Sequence, residues 1–217
     1  MAVVIDPAAI SASIGPCPAA LEPPDELWTQ LYSGYQEPKR HYHTFAHVAE
    51  VARWYRHVAE ERGWDHPREV FLAVLFHDIV YVVGAKDNEA RSADRAREAI
   101  RTWLAKSGID SDYTARLIEL TARHGSLSPD QVSDEEAHFL DCDMAILGAP
   151  PATYEQYERD VALEYQALYP PPLYQQGRAH FLRTLLQHDR IYLSDTFHAL
   201  LDSDARANLS RALDALA

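Results

Sequence analysis

A chain of 217 residues with 47% hydrophobic content is long and apolar enough for one globular domain with a substantial core, and it holds no apolar run of membrane-spanning length. Its formal net charge of −13 disfavours any nucleic-acid polymer as partner, because a phosphate backbone needs a basic surface. A small phosphorylated substrate stays open, since a metal ion and a few local cations can offset the repulsion.

Met1 to Asp6 lacks both a basic segment and a long apolar one, so no signal peptide is read. Cys17 and Cys142 stand far apart without CxxC spacing, which fits a reducing cytoplasm and neither a disulfide framework nor a zinc ribbon. Residues 1–24, rich in proline, serine and alanine, read as a loosely ordered leader. Asp25 caps a short helix carrying Leu27, Trp28 and Leu31, which ends near Gly34. A helix over about 44–62 follows, stopped by Gly63. Pro67 suits the first turn of the next helix. Its apolar run from Val70 to Phe76 continues into His77, Asp78, Ile79, Val80 and Tyr81, and the pattern predicts a helix over the whole stretch.

After a loop at 82–87, helices are predicted from Asn88 to about Gly108 and over about 111–124, the second stopped by Gly125. Ser133-x-x-Glu136 is a capping box that opens a helix over 135–147. Pro150-Pro151 starts a tyrosine-rich helix that ends before Pro170, and helices over about 173–188 and 194–216 complete the chain. No period-two strand and no internal repeat is found. The expected fold is all-α, a single-domain helical bundle of about eight or nine helices, with residues 25–217 as the domain.

Polar residues fall where apolar ones belong. At about 100° per residue, Val70, Val74, His77, Asp78 and Tyr81 share one helical sector, so a His-Asp pair enters the core. A buried carboxylate needs a charge network or a metal ion. His43 and His47, one turn apart, share a face with Val51, Trp54 and Val58. Asp143 lies within the stripe Phe139, Leu140, Ile146 and Leu147, while Asp141 points to the opposite side, which selects Asp143 as the inward carboxylate. Together these residues form an N/O ligand set for one metal ion.

The order His47…His77-Asp78…Asp143 resembles the HD superfamily of metal-dependent phosphohydrolases. The residues that carry the resemblance are His47 to Val51, Leu75 to Asp78, and Leu140 to Met144. The stretches Tyr42 to His47, Phe76 to Tyr81, Lys86 to Ser92 and Phe139 to Gly148 look like one bacterial branch of predicted HD-type phosphohydrolases, and the similarity spans about residues 35–200. It implies a divalent cation (Mn, Fe, Co, Ni, Zn or Mg; one or two ions) held by His47, His77, Asp78 and Asp143. It also implies hydrolysis of a small phosphate ester, a nucleotide among the options, by metal-activated water attacking phosphorus. Asp78, beside a ligand, is expected to orient that water as well as to coordinate.

Tyr42-His43-x-x-x-His47 also resembles the Tyr-His-Asn-x-x-His stretch of cyclic nucleotide phosphodiesterases, in which the first His protonates the leaving oxygen. Thr44 replaces the Asn here. The likeness suggests His43 as proton donor, a role suited to an imidazole of ordinary pKa about 6.5, and does not extend to cyclic nucleotides as substrate.

Glu89 and His124 also face inward, as groups behind the ligands or as ligands of a second ion. The competing readings are a first-turn acid and a helix C-terminal His. Lys86 and Arg40 are candidates for phosphate contact, although Lys39-Arg40-His41 equally makes a solvated run. Tyr154, Tyr157, Tyr165, Tyr169 and Tyr174 read as packing, Arg178 and Glu164 as an ion pair, and His138, His180, His188 and His198 as surface residues. Two alternatives to a hydrolase remain. One is an HD-type di-iron oxygenase, which needs two further His ligands where residues 79–142 offer only His124 and His138. The other is a non-catalytic metal- or nucleotide-binding sensor.

Overall fold

The computed structural model describes residues 6–216, so the expectations for Met1 to Ile5 and for Ala217 lie outside the described residues. Those described are all-α, without a strand, and divide into two units between Ala122 and Arg123. None of their helices is long and apolar enough to cross a membrane.

The first unit holds α1 (Pro7–Ile14), α2 (Asp25–Gly34), α3 (Phe45–Glu61), α4 (Pro67–Phe76), α5 (Asn88–Trp103) and α6 (Ser111–Thr121). Residues 69–76 of α4 are all buried. With apolar side chains on every side, α4 has no face to give to solvent, and α3, α5 and α6 pack around it. Small residues on α5 (Ser92, Ala93, Ala96) are fully buried, which brings α5 close to its neighbours.

α1 corrects the reading of a loosely ordered leader. Asp6 accepts a hydrogen bond from the Ala8 N–H at 3.0 Å and Pro7 opens the helix. Ile10 and Ile14, one turn apart, are buried, and α1 packs on α2 and α3. The proline content masked an ordinary helix start followed by two core isoleucines.

A second correction concerns α4, which ends at Phe76, short of the predicted Tyr81. Side chains capture the backbone polar groups that a longer helix would have used. Arg40 donates to the carbonyls of Asp78 and Ile79. The Ser92 hydroxyl bonds both the N–H and the C=O of Val80, and the Asn88 amide does the same for Val82. Gly34 makes room for this segment, because a Cβ there would lie 2.7 Å from Ile79 Cγ1. His77 and Asp78 therefore sit in a turn at the helix end, not on a helix face.

The second unit holds α7 (Asp134–Met144), α8 (Pro151–Tyr165), α9 (Pro171–Gln187) and α10 (Asp195–Ala215). The predicted Ser133/Glu136 capping box is present at the start of α7. Three sequence readings are corrected in this unit. Asp141, expected to point outward, is 1% exposed, and its carboxylate accepts from Leu193 N, Ser194 N and Ser194 Oγ at 2.8, 2.7 and 2.6 Å. Helical periodicity failed there because α7 is buried on nearly every side from Glu135 to Cys142. His138, expected on the surface, is buried, with Nδ1 2.7 Å from the Asp134 carbonyl and Nε2 3.1 Å from Thr196 Oγ1. Arg178 pairs with Glu158, at 2.6 Å, in place of the predicted partner Glu164.

Candidate metal centre

In the first unit, Thr44 is the N-cap of α3 and His47 lies in its buried first turn. His43 precedes the cap, so it stands outside the helix whose face it was expected to share with His47. The capture of residues 78–82 described above fixes the opposite wall, and three ligand atoms meet between them. His47 Nε2 lies 3.1 Å from His77 Nε2. Asp78 Oδ2 lies 3.3 Å from His77 Nε2 and 3.8 Å from His47 Nε2.

The tautomer of His77 follows from its other nitrogen. Nδ1 is 2.9 Å from the Val74 carbonyl oxygen, which can only accept, so Nδ1 carries the proton and Nε2 presents a lone pair to the cluster. The geometry suits a cation. With bonds of about 2.1 Å, ligand atoms at 90° are about 3.0 Å apart, those at 109° about 3.4 Å, and those at 130° about 3.8 Å. The three observed separations span that range, and all three ligand atoms lie within 4.8 Å of one another. Burial alone would push the Asp78 carboxyl up. With the imidazoles protonated and no ion between them, the charge and hydrogen bond of His77, then the charges of His43 and His47, outweigh it and hold Asp78 well below the usual carboxylate range; the Nε2 lone pair is offered to a cation once His77 is neutral.

Around this trio the aromatic rings are ordered. His43 stacks on Tyr81, with ring centroids 4.0 Å apart and planes at 23°, and Tyr42 lies 4.7 Å from the His47 ring. His43 is half-buried. Glu89, in the first turn of α5, is half-buried and is not among the grouped ligand atoms of the described residues; Lys86 is exposed on its loop. Arg40, the other candidate for phosphate contact, is buried and donates to the backbone carbonyls of His43, Asp78 and Ile79.

In the second unit, Asp143 is partly buried at the end of α7, with Oδ2 3.4 Å from His124 Nδ1. That is ion-pair distance without hydrogen-bond alignment, since the same nitrogen makes no aligned bond. The Tyr157 phenol of this unit is pushed up, by burial above all. The residues that sequence reading missed are Asn88 and Ser92. Asn88 reads as a helix start and Ser92 only as the end of the Lys86 to Ser92 stretch, and the bonds they make to Val82 and Val80 reveal their role. No family model matches the chain, and neither curated proteins nor solved structures match it.

Proposed function

We propose that this protein is a metal-dependent hydrolase of a small phosphate ester, of the HD type that its sequence resembles, with His47, His77 and Asp78 as ligands. The observation that supports it best is the convergence of two imidazole nitrogens and one carboxylate oxygen, with the His77 tautomer fixed by the Val74 carbonyl. A divalent ion bound there supplies Lewis acidity and lowers the pKa of water toward neutrality. Three protein ligands leave positions open for water and substrate, as hydrolysis requires.

The chain's own residues supply the rest. His77 and His47 hold their Nε2 atoms toward one point, and Asp78 stays ionised beside them, so its carboxylate can accept a hydrogen bond from water and orient it. His43, stacked on Tyr81 and half-buried, gives its proton to the leaving ester oxygen. The oxygenase reading loses ground, because both ring nitrogens of His138 already have partners in Asp134 and Thr196. The test is turnover of a panel of phosphate esters with Mn²⁺, Zn²⁺ and other divalent ions. Metal-dependent phosphate release that disappears in His77→Ala supports the proposal. Stoichiometric metal with no turnover of any ester points to a sensor, and two bound irons point to oxygenation.

A further inference from the structure

Arg40 is 6% exposed, and its guanidinium carbon lies over two aromatic rings, 5.2 Å from the Tyr35 centroid and 5.6 Å from that of Tyr81. Nη1 donates to the carbonyls of His43 and Asp78 at 3.1 and 2.6 Å, and Nη2 donates to the Ile79 carbonyl at 3.0 Å. Nε faces Glu37 at 3.5 Å. One side chain thus ties the backbone of the proton donor to the backbone of a metal ligand. The Tyr81 ring beneath it also stacks on the His43 imidazole. The remaining wall is held separately, since the Tyr35 hydroxyl donates to the Leu75 carbonyl at the end of α4.

We propose that Arg40 is a positioning residue that sets His43 against Asp78, so that ion affinity and proton donation both depend on a guanidinium that touches neither ion nor substrate. This rests on reading His47, His77 and Asp78 as a metal centre. Carbonyls approach Arg40 from three residues and two segments, and the guanidinium meets them from two separate nitrogens in a fixed plane, where an ammonium has one nitrogen to place. Partners behind metal ligands typically change affinity or activity by about 10–100-fold when removed, although they bind nothing themselves.

The experiment compares Arg40→Lys and Arg40→Met with Arg68→Met. Arg68 also donates to a backbone carbonyl of this unit, that of Ser107 at 2.7 Å, so its loss measures a merely structural arginine. Three readouts are taken: zinc affinity by calorimetry, the ring-to-ring nuclear Overhauser effect between His43 and Tyr81, and the ratio of turnover on nitrophenyl to alkyl phosphate esters. Arg40→Lys keeps a cation at this position and is expected to fold, with zinc affinity about 10–100-fold weaker and the His43–Tyr81 Overhauser effect weakened or abolished. Its turnover should fall more on alkyl than on nitrophenyl esters. Arg68→Met should lower the melting temperature and leave all three readouts as in wild type. Wild-type zinc affinity and an undiminished Overhauser effect in both Arg40 variants would overturn the proposal. So would failure of both to fold at saturating zinc, which would make Arg40 a structural residue. If the wild type hydrolyses no ester, the proposed activity falls, while zinc affinity and the Overhauser effect still judge Arg40.

Discussion

Replacing Asp141 by alanine strips three donors of their acceptor in a buried site. Leu193 N, Ser194 N and Ser194 Oγ all point at this one carboxylate, and Ser194 Oγ also caps α10 by accepting from Phe197 N. Each buried donor left unpaired costs about 1–3 kcal/mol, so three set an upper bound of about 9 kcal/mol. Two effects reduce it. The space vacated by the carboxylate is polar and can admit a water. Burial has already pushed the Asp141 carboxyl up to about 6 against the pull of those same hydrogen bonds, so part of their gain is offset in the wild type. The expected net loss is about 2–4 kcal/mol at pH 7, read as a lower urea midpoint with unchanged slope.

The pH dependence has a definite sign. A carboxyl raised from about 3.9 in the unfolded chain to about 6 when folded binds its proton more readily in the folded state. Its contribution is therefore complete below about pH 4 and declines as pH rises through about 6. The advantage of wild type over Asp141→Ala should shrink across that window. A loss below about 0.5 kcal/mol, or an advantage that grows with pH, would refute the reasoning. Metal content should be unaffected, since Asp141 serves the segment before α10.

Other substitutions probe the site and the core. His77→Ala or Asp78→Ala should abolish metal binding and with it the rise in melting temperature on adding metal, because an ion that binds only the folded state stabilises it; scanning calorimetry with and without Zn²⁺ checks this. His43→Ala should keep the ion and lower turnover by about 10²–10⁴-fold, with a smaller loss on nitrophenyl esters, whose leaving group needs no proton. Ile14→Ala should cost about 2–4 kcal/mol in chemical denaturation, because Ile14 is fully buried.

What could be read from the sequence follows the reach of each physical signal. Helix starts were legible from Thr44, Pro67, Asn88 and the Ser133/Glu136 box, because start signals are local in sequence. The His47, His77 and Asp78 group was legible because polar side chains interrupted apolar runs. Periodicity misled where a helix is buried all round, as with Asp141 and His138, since no outward face exists for the pattern to mark. It also carried α4 too far, because the captures by Arg40, Ser92 and Asn88 join residues 12 or more apart in two of the three cases. For Arg40, a cation beside a motif suggests phosphate in the sequence, and the coordinates add the backbone carbonyls of His43, Asp78 and Ile79 around it, two of them far away along the chain.

The central claim is that His47, His77 and Asp78 hold a divalent ion, and metal analysis of the protein purified without a chelating column tests it most directly. The wild type should carry a stoichiometric divalent ion, or take one up on incubation with Mn²⁺ or Zn²⁺ and retain it through desalting, while His77→Ala carries none. A wild type that stays metal-free after such incubation, or a His77→Ala variant that keeps a full equivalent, would contradict it.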